Sequence, residues 1–146
     1  MRPDKFTQKM QEALQAAQDV ASQLNQQEIT NEHFLLALLD QTDGVTRPLL
    51  EKMGVPVPQL REELNRELDR RPKIQGGNVD LRVGNELRAT IDAAEKEMAK
   101  LKDEFLSAEH YLLALADSKG GAAKLLKDAG VTVSYTHLTL PTILLV

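Results

Sequence analysis

The sequence predicts an all-α domain of two tandem four-helix repeats related by a pseudo-twofold, the second lacking its last helix. Three observations carry this prediction: an internal duplication, apolar residues at helical spacing in both copies, and matching start and stop residues around each run. The stretch "EITNEHFLLALLDQTDGVTRPLLEKMGV", Glu28 to Val55, is paralleled by "FLSAEHYLLALADSKGGAAKLLKDAGV", Phe105 to Val131. Thr30, Asn31, Glu32 and His33 align with Ser107, Ala108, Glu109 and His110 at an offset of 77, and Leu49, Leu50, Gly54 and Val55 align with Leu125, Leu126, Gly130 and Val131 at 76. A duplicated unit of this length fixes the architecture before any single helix is assigned.

Each unit opens with a long amphipathic helix. Met10, Ala13, Leu14, Ala17, Val20, Ala21 and Leu24 follow the spacing of one buried helical face. In the second unit Leu87, Ile91, Ala94, Met98 and Leu101 do the same, and the repeat offset pairs Met10 with Leu87, Leu14 with Ile91 and Ala17 with Ala94. Thr7 suits the N-cap of the first helix, and Asp103 falls in the turn before Phe105. Thr30 and Ser107 are placed to cap the next helix by accepting a first-turn N–H. Glu32 and Glu109 fall in that first turn, where the helix dipole favours negative charge. They stand two residues after the cap rather than three, which is not a capping box. The runs "FLLALL" and "YLLALA" then form the apolar bodies.

A short third helix carries Leu49, Leu50 and Met53, or Leu125, Leu126 and Ala129, and stops at Gly54 or Gly130, where a left-handed backbone is required. In the first unit "VPQLREELNRELDRR" adds a fourth helix with Leu60, Leu64 and Leu68 on one face. Pro72 and the Gly76–Gly77 pair break it. The first repeat therefore spans 1–70, a linker 71–83 and the second repeat 84–132. The last segment, "VSYTHLTLPTILLV" (133–146), has no Asp, Glu, Lys or Arg. Back-translated, Ser134 to Thr142 matches the end of a transposase-derived sequencing adapter, so this tail reads as non-native and is kept out of functional argument.

Composition narrows the function. The 146 residues are 42% hydrophobic and 27% charged, with net charge −4, 3% aromatics and no Cys. A negative chain with few aromatics has neither the phosphate-tracking surface nor the stacking platforms of a nucleic-acid binder. Absence of Cys removes disulfides, thiolate zinc sites and Cys nucleophiles. "MRPDKFTQKMQ" has no signal-peptide core and no apolar run reaches membrane-span length, so the expected location is cytoplasmic. His33 and His110 occupy one repeat position, which argues for a shared packing or capping role rather than a metal pair. No phosphate loop of the G-x-x-x-x-G-K-[ST] type and no nucleophile elbow occurs, so no catalysis is expected of this segment.

The doubled "EH-(F/Y)-LLAL" pattern, "LLEKMGV/LLKDAGV", the opening "DKFTQKMQEALQAAQ" and the linker "RPKIQG" resemble the N-terminal repeat domain of the Clp/heat-shock AAA+ ATPases, nearest to the ClpB disaggregase type. The resemblance covers roughly residues 1–132. It implies binding of exposed hydrophobic segments in unfolded or aggregated client proteins, for threading by AAA+ modules that use ATP and Mg. It further implies a homohexameric parent that works with a DnaK-type chaperone. Thr7, Asp103 and Glu109 match polar family positions implicated in chaperone action. Leu87, Ile91 and Leu112 are candidates near the seam between the repeats, although a leucine stripe at helical spacing is more often core. Two alternatives stay open: the N-domain of a protease-coupled Clp unfoldase that docks adaptors, and a stand-alone Clp-repeat interaction module.

Overall fold

Among the described residues, seven α-helices form where the patterning places them: α1 (Gln8–Gln23), α2 (Asn31–Leu39), α3 (Thr46–Lys52), α4 (Val57–Arg70), α5 (Asn85–Lys100), α6 (Ala108–Ala116) and α7 (Gly121–Asp128). A 3-10 turn at Pro3–Lys5 and two two-residue strands, β1 (Glu28–Ile29) and β2 (Arg82–Val83), complete the elements of this computed structural model, which describes residues 3–74 and 81–129. The expected stop at Gly130, the missing eighth helix and the adapter-like tail lie outside the described residues.

Helix α2 is buried along its whole length, from Asn31 to Leu39, and α6 is buried at every position except Glu109. Helices that are apolar all round belong in the middle of a domain. The amphipathic helices wrap them: α1 and α4 lie on α2, α5 lies on α6, and α7 reaches α2, α4 and α6. Met10, Ala13, Ala17 and Ala21 of α1 are buried, as are Leu87, Ile91 and Ala94 of α5. Helix α4 buries Leu60, Leu64 and Leu68, each contributing about 1.5–3 kcal/mol. One residue of the predicted α5 face departs from its pattern. Leu101, the C-cap of α5, is 42% exposed, whereas its counterpart Leu24 packs against the core.

Both long helices end in the same way. Leu24 and Leu101 are C-caps, and the next residues, Asn25 (φ 55°) and Lys102 (φ 58°), are left-handed. The Gln26 N–H then donates to the Ala21 carbonyl (2.9 Å) and the Asp103 N–H to the Met98 carbonyl (3.0 Å), which is the Schellman closure. Gly54, at φ 83°, ends α3 as its position predicts.

The pseudo-twofold is visible in the backbone. Strand β1 pairs in parallel with β2, with Glu28 opposite Arg82 and Ile29 opposite Val83. Phe6 forms a parallel bridge with Leu106, which is the same pairing with the repeats exchanged. The Thr7 N–H donates to the Leu106 carbonyl (3.0 Å), matching Gly84 N–H to the Ile29 carbonyl (2.9 Å). Each repeat thus lends an extended residue to the other.

The rings of Phe34 and Tyr111, equivalent positions, face each other across the axis, 4.7 Å apart at 46°. The polar surroundings of this pair are one-sided. The Tyr111 hydroxyl donates to Asn31 Oδ1 (2.8 Å), Asn31 Nδ2 donates to Thr90 Oγ1 (3.0 Å), and the Thr90 hydroxyl donates to the Glu86 carbonyl (2.9 Å). The repeat counterparts of Asn31 and Thr90 are Ala108 and Ala13. Burial raises the Tyr111 phenol well above its ordinary pKa, with the nearby Glu32 charge as a second cause. Tyr111→Phe leaves Asn31 Oδ1 without its donor and is expected to cost about 1–3 kcal/mol. The triple change Tyr111→Phe, Asn31→Ala, Thr90→Ala removes all partners together and should cost less than the sum of its parts. Urea midpoints of the parent, the three single variants and the triple variant check this.

Candidate functional site

The residues between α1 and α2, and between α5 and α6, form two equivalent cap turns, and each is locked by a histidine. Thr30 caps α2, and its N–H donates to His33 Nδ1 (2.9 Å). The Ser107 N–H donates to His110 Nδ1 at the same distance, 2.9 Å. Histidine at N3 therefore closes the box that the sequence, read for Glu or Gln, did not show. The remaining ring nitrogens reach seven residues back: His33 Nε2 to Gln26 Oε1 (2.6 Å) and His110 Nε2 to Asp103 Oδ2 (2.7 Å). Gln26 and Asp103 are repeat equivalents, so one geometry is made with an amide in the first repeat and a carboxylate in the second.

The first cap turn is sealed from above. Gln26 Nε2 donates to the Leu68 carbonyl at the end of α4 (2.6 Å), and the Ile74 N–H donates to the Asn25 carbonyl (2.7 Å). Arg71 Nη2 donates to Glu32 Oε2. Glu32 is only 1% exposed; its other oxygen has no hydrogen-bond partner and points at the start of α7, where a Cβ on Gly121 would come within 2.9 Å of it. A side chain at position 121 would push the carboxylate aside, and the positive end of α7 faces that charge. Burial, then the neighbouring Arg71 charge, lowers His33 to about 4, with Glu32 opposing. His33 is neutral at pH 7, as its acceptor role at Nδ1 requires.

The sequence-predicted site residues fall into two groups. Thr7 caps α1, its hydroxyl accepting the Met10 N–H (3.3 Å), while its own N–H is bonded to Leu106. Asp103 holds His110, and the Ser107 hydroxyl donates to Glu109. These three lie around the segment 103–109. Leu87 (0%), Ile91 (0%) and Leu112 (6%) are core residues and present no apolar surface. The exposed large apolar side chain near the polar trio is Phe105, at 51%. It was legible as an aromatic directly after the charged run Lys102, Asp103 and Glu104.

Two open clefts flank the equivalent turns. The first, about 220 Å³, is lined by Gln26, Gln27, Glu28, Thr30 and Arg82 on the repeat side and by residues 71–74 on the other. The second, about 410 Å³, is lined by Lys5, Glu95, Met98, Asp103, Glu104 and Phe105. Among the described residues no group of His, Asp and Glu side chains has the geometry to hold a metal ion, and no helix is long and apolar enough to cross a membrane.

A duplicated all-α module with exchanged bridges about a twofold, histidine-locked caps and open clefts beside them is a tandem-repeat helical domain. Residues 5–129 match the Clp repeat (R) N-terminal domain family, and the chain belongs to that family. The chaperone protein ClpB of Vibrio cholerae is 40% identical over 132 residues, covering 90% of this chain and 15% of its own. ClpB of Mycobacterium tuberculosis H37Rv is 40% identical over 126 residues, covering 86% and 15%. The chain spans about 15% of the length of these curated relatives. Among solved structures, the N-terminal domain (1–163) of the ClpV1 ATPase from E. coli superposes with TM-score 0.80 at 21% identity, covering 97% of this chain and 86% of that one. The Hsp104 N-terminal domain from Candida albicans gives 0.77 at 21%, covering 92% and 87%. A ClpV N-domain solved in complex with a VipB peptide gives 0.75 at 21%, covering 97% and 88%. At these identities the structures speak for the fold.

Proposed function

We propose that this chain is the client-binding N-terminal domain of a ClpB-type protein disaggregase. Identity of 40% to ClpB relatives along nearly the whole described domain carries the reading, and favours it over a protease-coupled or stand-alone parent. A similar N-domain takes a peptide, which supports binding of extended segments here. Phe105 supplies exposed aromatic surface, with Thr7, Asp103 and Glu109 beside it on the neighbouring backbone. In this proposal the domain gathers exposed hydrophobic segments of unfolded or aggregated clients. A cytoplasmic homohexameric parent then threads them, using AAA+ modules charged with ATP and Mg, in concert with a DnaK-type chaperone.

Reduced, carboxymethylated α-lactalbumin, which cannot refold, serves as the client probe. The chain should bind it at least about tenfold more tightly than it binds native α-lactalbumin, a difference of about 1.4 kcal/mol. Phe105→Ala and Asp103→Ala should each weaken that binding. Thr7→Ser keeps the cap and should leave both binding and melting temperature in place, whereas Thr7→Ala loses about 1 kcal/mol of stability. Equal affinity for native and unfolded probe would overturn the reading.

A further inference from the structure

Much of the surface that the two repeats share does not depend on which repeat supplies it. Its backbone bridges, Phe6 with Leu106 and Ile29 with Val83, use N–H and carbonyl groups that any residue here would carry. Its central ring contact, Phe34 on Tyr111, forms equally well between two phenylalanines or two tyrosines. A second copy of the chain therefore offers each repeat a partner of its own kind, first on first and second on second. In that pairing Phe34 meets Phe34, and Lys5 stands opposite Glu28 where Arg82 stands now. Pseudo-symmetric halves avoid such a dimer only if something penalises the like pairing.

Two buried features of the shared surface are not symmetric. The first is the relay in which the Tyr111 hydroxyl donates to Asn31 Oδ1 and Asn31 Nδ2 donates to Thr90 Oγ1. All three side chains are buried, and their counterparts Phe34, Ala108 and Ala13 have no polar side-chain group. First-on-first pairing sets the Asn31 amide against Phe34 and Ala13. Second-on-second pairing sets the Tyr111 hydroxyl against Ala108. Either strands a buried polar group, which costs far more than a satisfied hydrogen bond gains. The second feature is room. A Cβ at Gly121 would come within 2.9 Å of Glu32 Oε1, and the residue that matches Gly121 at the start of α3 is Val45, which has one. First-on-first pairing therefore also drives Glu32 onto a side chain.

We infer that the Asn31–Tyr111–Thr90 relay and Gly121 are an assembly device: they direct the first repeat onto the second within one chain and bar a like-on-like dimer with a second copy. A single buried asparagine selects partners in coiled coils by the same penalty. The device matters most where several copies are held close together, because a high local concentration favours exchange between them.

The test makes the surface symmetric. Asn31→Ala, Thr90→Ala and Tyr111→Phe give each repeat what its counterpart already holds, and Val45→Gly gives α3 the residue that starts α7. The chain has no Cys, so engineered pairs report the partner. Glu28→Cys with Arg82→Cys joins residues that are opposite each other in the native register and closes within one chain. Lys5→Cys with Glu28→Cys closes between copies, and only in first-on-first pairing. Chains are refolded from urea over about a hundredfold range of concentration, then sized by light scattering and run on non-reducing gels. At the highest concentration the four-change variant should hold a dimer fraction at least about tenfold above the parent's, joined through the Lys5–Glu28 pair. Ala17→Gly, which weakens α1 inside one repeat, should stay monomeric. A four-change variant as monomeric as the parent would overturn the inference. So would a dimer of Ala17→Gly, since instability alone would then suffice, or a dimer that the Lys5–Glu28 pair does not join, since the repeats would then have exchanged without losing their preference. The opposite set, Phe34→Tyr, Ala108→Asn and Ala13→Thr, reaches the same symmetry in the relay by adding groups, and is read in the same way if the first set does not fold. If neither set folds, the asymmetric residues hold the fold itself, and the inference falls.

Discussion

Arg71→Met is expected to lower the unfolding free energy by about 3 kcal/mol, the cost of stranding a buried charge. Glu32 is 1% exposed and Arg71 35%, so the carboxylate is the buried partner and the guanidinium reaches water. With the arginine gone, Glu32 keeps only the positive end of α7 near an oxygen that already lacks a hydrogen-bond partner. The loss is a large share of the 5–15 kcal/mol available to a domain of this size. Removing both members is a different experiment. Glu32→Gln with Arg71→Met replaces the pair by a neutral amide and an apolar stem of similar bulk, and should recover more than half of the loss. Urea unfolding followed by circular dichroism separates the cases, provided the slope with urea is unchanged. A single Arg71→Met variant within about 1 kcal/mol of the parent would show that Glu32 is solvated or otherwise paired, contrary to the geometry.

The amphipathic helices were legible because one apolar period governs each of them. Met10, Ala13, Ala17 and Ala21 repeat at the spacing of a single face, and Leu60, Leu64 and Leu68 do so again. The caps Thr7 and Thr30, and the stop at Gly54, were equally local signals. The exchanged strands were not. A two-residue pairing has no period of its own, and Ile29 with Val83 or Phe6 with Leu106 become partners only once the repeats are brought together. Leu101 shows the opposite failure: it continues the α5 spacing on paper, yet it sits beyond the last turn and is exposed.

The site was legible only in part, for a related reason. Thr7 is far in sequence from Asp103 and Glu109, and lies near their segment because the Phe6–Leu106 bridge draws the start of α1 to the turn before α6. Leu87 and Ile91 were attractive as an apolar stripe, and the stripe is spent on the core. The role of His33 and His110 as cap closers was signalled by their common position, but the partners Gln26 and Asp103 required the Schellman turns to fold them back.

His33 makes the fold sensitive to mild acid. Its pKa falls from 6.5 to about 4 on folding, by burial first and by Arg71 second. The unfolded chain therefore binds more protons between those values, so this contribution is complete above pH 6.5, declines as the pH falls towards 4, and is absent below it. The size is about 3 kcal/mol. Protonation at Nδ1 would set an N–H against the Thr30 N–H, which also opens the α2 cap, so the charge and the structure fail together. Gln26, Thr30, Glu32 and Arg71 are the polar groups around the ring. Of these, Glu32 favours the charged form and Arg71 opposes it. His33→Gln keeps an acceptor at N3, as a capping box requires, and removes the titration. The stability difference between parent and variant, measured by urea unfolding from pH 7 to pH 4, should shrink by about 3 kcal/mol across that window. Exposed pairs such as Lys9 with Asp43 titrate in both proteins and cancel in the difference. A difference that stays level with pH would mean that the ring is already solvated in the folded chain, and that the cap of α2 is held by the Thr30 side chain alone.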